Sequence, residues 1–206
     1  MTDQIASGVY RLKVPFEDIY TGVFAVATED RYVIVDSATT DSDVDSVILP
    51  ALRSLGFKGA PEALLLSHHH GDHAGGARRL SEVFTGLRIY APRGISGVEV
   101  MPLADGMTFL GRLRAVMLPG HTESSFGFLD TESGTLLSCD ALQQRGVSRY
   151  TNGVKLRESY ISSIGRIRAL PLRRIVASHE YVPLGAVAEG QVEISRYLDE
   201  CLRALE

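Results

Sequence analysis

Cysteine is scarce: Cys139 and Cys201 are the only two in 206 residues. Two are too few for a disulfide framework and fit a reducing compartment. They also exclude a cysteine-ligated zinc cluster, so any metal must be held mainly by histidine and carboxylate. No apolar run approaches the roughly 20 residues that a membrane-crossing helix needs. The opening Met1-Thr2-Asp3-Gln4 lacks the basic patch and apolar stretch of a signal peptide. The expectation is a cytoplasmic protein with no membrane partner. Basic blocks are missing as well, since Arg78-Arg79 and Arg173-Arg174 are isolated pairs in a chain of net charge -4. Neutralising phosphates supplies much of the affinity for nucleic acid. A small-molecule substrate is therefore expected, and no nucleic acid. The oligomeric state is left open, a homodimer included. There is no Gly-x-Ser-x-Gly elbow, so the chain offers no serine nucleophile of that type.

What is present reads as one α/β domain over residues 1–206, a length that suits a single buried core. No repeat, linker or low-complexity segment divides it. Strands are expected at Val9–Phe16, Thr21–Thr28 and Arg31–Asp36. Asp41, Ser42 and Asp43 offer N-cap chemistry for a helix to about Leu55, stopped by Gly56. Ala63–Ser67 is a buried-strand pattern, followed by a helix from about His73 to Phe84 and a strand at Leu87–Ala91. Residues 94–111 are turn-rich, with short strands at most. Three strands follow, at Arg112–Leu118, Ser125–Asp130 and Thr135–Cys139, and then an irregular loop over 141–155. A helix over Leu156–Leu170, a strand at Arg174–Ser178 and an amphipathic helix over Gln191–Leu205 close the chain. Two groups of strands, each followed by helices, point to sheets covered by helices.

Polar residues recur where apolar strands end: Ser67-His68, Gly120-His121, Cys139-Asp140 and Ser178-His179. Side chains at adjacent strand ends can converge on one point. Residues 67–76 read Ser-His-His-His-Gly-Asp-His-Ala-Gly-Gly, with His68, His70, Asp72 and His73 as four donors within six residues. Imidazole and carboxylate are what zinc and its neighbours take when thiolate is absent. Gly71 lets the backbone turn, while Gly75 and Gly76 permit close approach of the next helix. All six histidines lie in this loop or at the two isolated strand ends, a distribution that incidental histidines would not show. His69 alternates with His68 and His70 and is expected to point away from a metal.

His68-x-His70-x-Asp72-His73 followed by Ala74-Gly75-Gly76 resembles the signature of the metallo-β-lactamase superfamily, in its glyoxalase II-like branch. The resemblance spans nearly the whole chain through Val33-Ile34-Val35-Asp36, Pro119-Gly120-His121-Thr122, Asp140-Ala141-Leu142 and Ser178-His179. It implies an αββα sandwich of two mixed sheets flanked by helices. It also implies two divalent ions, zinc first, with iron or manganese as further fits. His68, His70 and His121 would hold the first ion, and Asp72, His73 and His179 the second. Asp140 would bridge the two. Asp36 would support the histidine loop from behind; its plain alternative is a strand-end turn residue.

Such a centre implies hydrolysis of an ester, thioester or lactone by a metal-bridging hydroxide, with Asp72 as the catalytic residue that also orients the water. Glyoxalase II enzymes carry a further C-terminal helical region that binds glutathione, and after His179 there is length here for one loop and one helix. The expectation therefore stays with the broader substrate class. A mononuclear iron persulfide dioxygenase of the same superfamily is the alternative, and a phosphodiesterase another. Arg145, Tyr150, Lys155 and Tyr181 are candidates for substrate contact on loops. Cys139, where relatives more often carry Gly, is expected to be a buried and inert strand cysteine.

Overall fold

Alternation of apolar and polar residues over the first strands dictates a sheet with one face on a helical layer. The computed structural model describes residues 1–206 and divides into two units, 1–104 with 109–111, and 105–108 with 112–206. In the first unit, β1 (Thr2–Ala6), β2 (Val9–Phe16), β3 (Ile19–Ala27), β4 (Tyr32–Val35), β5 (Ala63–Leu65), β6 (Ile89–Ala91) and β7 (Met101–Pro102) form a sheet in sequence order. Pairing is antiparallel from β1 to β4 and parallel from β4 to β7, so the sheet is mixed. Leu12 sits opposite Val23 and Val14 opposite Thr21. Leu12, Val14, Val23 and Ala25 share a core cluster with Val44, Ile48 and Leu52 of the helical stretch that follows β4.

That stretch starts one residue before the expected caps. Thr40 is the N-cap of α1 (Asp41–Asp43): its hydroxyl accepts from the Asp43 N–H at 3.1 Å, and the Asp43 carboxylate accepts from the Thr40 N–H at 2.8 Å. This reciprocal pair satisfies two of the orphan donors at the helix start. A π-helical stretch, Val44–Ile48, then leads into α2 (Leu49–Ser54). Pro50 accounts for it. Proline has no N–H and its ring crowds the carbonyl four residues back, so the helix opens by one residue. The Leu49 N–H reaches the Val44 carbonyl instead.

The single helix expected from about His73 to Phe84 is two: α3 (Gly71–Ala74) and α4 (Ala77–Val83). The break at Gly75-Gly76 comes from a non-local contact. A Cβ on Gly75 would lie 2.0 Å from the Thr39 carbonyl oxygen, and one on Gly76 2.2 Å from that of Ser37. The glycines thus allow close approach, but to the strand-exit segment 37–39. The His73 carbonyl accepts from both the Ser37 N–H (2.7 Å) and hydroxyl (2.9 Å), which locks the two backbones together.

The second unit holds β8 (Thr108–Phe109), whose Phe109 is assigned to the first, then β9 (Leu113–Met117), β10 (Phe126–Asp130) and β11 (Thr135–Cys139). A small hairpin of β12 (Gly146–Val147) and β13 (Tyr150–Thr151) interrupts the loop expected to be irregular. Then come α5 (Arg157–Arg168), β14 (Arg174–Ala177), β15 (Val187–Glu189) and α6 (Gly190–Arg203). The second sheet is ordered β15-β14-β11-β10-β9-β8 and is also mixed, with β11 parallel to β14 and its other described pairings antiparallel. Tyr160, Ile164 and Ile167 of α5 and Ile194, Tyr197, Leu198 and Cys201 of α6 cover it. The sequence pattern missed β1 and β15, both short edge strands where little periodicity accumulates. No helix is long and apolar enough to cross a membrane.

Topology positions the polar strand ends. Parallel β4 and β5 deliver Asp36 and Ser67-His68 to one edge of the first sheet. In the second, β9, β11 and β14 run the same way, so His121, Asp140 and Ser178-His179 also emerge at one edge. If the Gly76 contact fixes the ligand loop, Gly76→Ala lowers stability by roughly 2–4 kcal/mol in urea unfolding, as overpacking against backbone does. A change below about 0.5 kcal/mol would mean the segments separate freely.

Candidate metal centre

Asp36 leaves β4 with φ +62, a left-handed backbone that Asp tolerates better than most residues. The turn aims its fully buried carboxylate back at the ligand loop. One oxygen accepts from the Ser67 N–H at 2.8 Å. The other accepts from the Ser67 hydroxyl at 2.8 Å and lies 2.7 Å from His73 Nδ1. Ser67 Oγ also lies 3.0 Å from His68 Nδ1. One carboxylate thereby orients two imidazoles, and each keeps Nε2 for another partner. Fixing one ring nitrogen to present the other is the usual arrangement behind a metal-ligating histidine.

Within the first unit the donors fall into two pairs. His68 Nε2 and His70 Nδ1 are 3.1 Å apart. His73 Nε2 and Asp72 Oδ2 are 3.4 Å apart. Ligand bonds of about 2.0–2.1 Å in a tetrahedral zinc site put neighbouring donor atoms roughly 3.3–3.4 Å from each other. Both pairs match one edge of such a tetrahedron.

The second unit repeats the pattern around Asp140. Its Oδ2 is 3.7 Å from His121 Nε2 and its Oδ1 3.4 Å from His179 Nε2. The two carboxylate oxygens thus face different imidazoles. All three residues are buried. His121 Nδ1 is held from behind by the Gly153 carbonyl at 3.0 Å and by the Gln143 amide at 3.0 Å. Tyr181, buried edge-on to His179 at 5.8 Å, also bonds Asp140. Burial, then the Asp140 charge, pushes its phenol well above the ordinary range, so it stays a protonated donor.

Other candidates have different surroundings. His69 lies 5.0 Å from the His70 ring and lines a cavity of about 340 Å³ with Gly71, Arg78, Arg93 and Ile95. Arg145 is bonded to Glu200 at 2.8 Å. Tyr150 sits in the hairpin under Arg149, and Lys155 is exposed. Cys139 is fully buried with φ +48, which explains on backbone grounds why glycine suits that position. Ser67, Gln143 and Gly153 were not foreseen. Each is an ordinary loop or strand-end residue until tertiary structure brings its partners.

A sequence model described as the metallo-beta-lactamase superfamily matches residues 19–95. A hydroxyacylglutathione hydrolase of Synechococcus sp. (strain JA-2-3B'a(2-13)) is 34% identical over 167 residues, covering 75% of this chain and 66% of that protein. The chain belongs to the metallo-β-lactamase superfamily. Its relatives there are glyoxalase II-like. Another hydroxyacylglutathione hydrolase, of Xylella fastidiosa (strain 9a5c), is 33% identical and covers 76% of this chain and 58% of its own length. The chain thus spans about two thirds or less of these curated relatives. Among solved structures, a metallo-beta-lactamase family protein from Thermus thermophilus superposes with a TM-score of 0.74 at 19% identity, covering 97% of this chain and 80% of that one. A metallo-beta-lactamase from Erythrobacter litoralis gives 0.74 at 21%, covering 98% and 96%. The fold of two mixed sheets flanked by helices is therefore the metallo-β-lactamase fold.

If the Asp36 carboxylate organises the ligand loop, Asp36→Asn replaces one acceptor oxygen with a donor facing other donors. Stability of the metal-free chain falls by about 2 kcal/mol in urea unfolding, and the His73 ring resonances broaden or shift. An unchanged His73 spectrum would remove Asp36 from this role.

Proposed function

We propose that residues 1–206 act as one domain and a two-ion metal-dependent hydrolase of a small-molecule thioester, ester or lactone. The observation that carries this reading is the set of donor pairs at coordination-edge spacing, two in each unit. Two donors are too few to hold an ion, because zinc sites use three or four protein ligands. Grouped as the family resemblance implies, His68, His70 and His121 serve one ion and Asp72, His73 and His179 the other, with Asp140 common to both. Imidazole and carboxylate donors favour zinc, with iron and manganese also accommodated.

Divalent ions so held supply a water of lowered pKa and a Lewis acid for the developing oxyanion. The chain's own residues orient that chemistry. Asp72 is the most open of the ligand carboxylates, its side chain 20% exposed against 8% for Asp140. It is suited to ligate and to direct an attacking water together. Asp36 holds the His73 ring directly and the His68 ring through Ser67, and the Gly153 carbonyl would hold the His121 ring with Nε2 free for an ion. Among the three substrate types we favour the thioester, because the curated relatives are named for hydrolysis of hydroxyacylglutathione. Cysteine usage keeps us with a reducing, cytoplasmic setting.

Elemental analysis of natively purified protein should find two equivalents of divalent metal, and a panel of thioesters, esters and lactones should show turnover that a chelator removes. Asp72→Ala should lower that turnover by at least 100-fold with the circular dichroism spectrum retained. One equivalent of iron with oxygen uptake on glutathione persulfide would overturn the hydrolase reading in favour of dioxygenation.

A further inference from the structure

The loop after β6 leaves the first sheet beside the ligand loop. β5 and β6 are parallel, with Leu65 opposite Tyr90. The chain therefore exits both strands at one edge, as Ser67-His68 after β5 and as Pro92-Arg93 after β6. Crevices outside the carboxyl ends of parallel strands are where ligands of such sheets lie. Residues of both loops line the cavity of about 340 Å³: His69 and Gly71 from one, Arg93 and Ile95 from the other. That volume falls within the roughly 300–1,000 Å³ of small-molecule sites. His69 and Gly71 flank His70, so the cavity wall runs directly into the donor set.

Arg78 and Arg93 line this cavity, and no Asp or Glu does. The two arginines differ. Arg78 donates to Asp41 at 2.6 Å and to Glu82, so its charge is already matched. Its stem serves as packing, with Cδ 3.8 Å from where a Cβ on Gly97 would lie. Arg93 is exposed and has no carboxylate partner. The turn beyond it is closed by the Val98 N–H, which donates to the Ile95 carbonyl at 3.3 Å. A guanidinium without an acid beside it offers a planar fork of donors that fits a carboxylate. One unmatched positive charge suits a monoanion. A phosphate dianion would call on Arg78 as well, which Asp41 and Glu82 occupy.

We propose that this cavity is a subsite for a carboxylate carried by the substrate, with Arg93 as its ion-pair partner and His69 and Ile95 as its walls. A substrate anchored there extends past His70 toward the metal centre. Arg93 is thus a specificity-determining residue, which selects among thioesters by the charge at one end. The proposal rests on the hydrolase reading of that centre.

Two series of thioesters test it on the zinc-loaded chain, one ending in a carboxylate on the acyl side and one on the thiol side, each paired with its carboxamide twin. In at least one series the carboxylate should be preferred in kcat/KM, and that series tells which end of the substrate enters the cavity. Arg93→Ala should cut the preference by roughly tenfold, mainly through KM, as loss of a charge-assisted hydrogen bond does. Arg93→Lys should keep part of it, since an ammonium retains the charge without the fork, and Arg93→Glu should favour the carboxamide. A merely structural role for Arg93 would lower both twins alike and leave their ratio unmoved, which would overturn the subsite. So would equal kcat/KM for both twins of each series in the unaltered chain, with the hydrolase reading left standing. Absence of turnover on every thioester would overturn the hydrolase reading instead. A glutarate titration followed at the Arg93 Nε–H resonance then decides the cavity: a saturable shift supports the carboxylate subsite, and no shift overturns it.

Discussion

Burying a carboxylate is costly unless its oxygens are taken up by donors, and the Asp36 carboxylate is fully buried. Ser67 supplies two hydrogen bonds and His73 a third. Those contacts fix the direction in which the first unit's histidine loop leaves β5. The left-handed backbone at Asp36 is part of the same arrangement, since an extended residue there would continue β4 and set its side chain perpendicular to the sheet. The Ser37 contacts to the His73 carbonyl and the missing Cβ atoms at Gly75 and Gly76 hold the other side of the loop. The ligand pairs of the first unit depend on this frame.

The second unit reaches a similar result by other means. Three strands running in one direction bring His121, Asp140 and His179 to one edge, and the supporting partners come from the loop after β11. Successive residues there divide the labour. Gln143 turns toward His121 and Asp140, while fully buried Gln144 accepts from the Leu184 N–H at 2.8 Å and donates to the Gly185 carbonyl at 3.1 Å. The second contact ties down the segment that follows His179.

Much of this is legible in the sequence because the signals are local. Four donors within six residues, Gly75-Gly76 after them, and apolar runs ending on His121, Asp140 and His179 can all be read along the chain. The strands with clear alternation, such as Val9–Phe16, fell at the expected places. What could not be read depends on residues distant in sequence. The break between α3 and α4 reflects segment 37–39, and the π-helical stretch reflects Pro50 acting inside an otherwise regular pattern. Gln143 and Gly153 lie ten residues apart in a loop without periodicity, so nothing in their spacing marks them as partners. Asp36 was reachable only by resemblance, because a single Asp at a strand end has no signature of its own.

Gly153 engages His121 through its carbonyl and Gln143 through its N–H, and a Cβ there would approach both at 3.1 Å. Half of the support behind the ligand is therefore main chain, at a position where a side chain would crowd its partners. The exposed tip of the same loop, Ser148 and Arg149, lies beyond these contacts. A change of side chain there leaves the support behind His121 in place, whereas a change at Gly153 meets it directly.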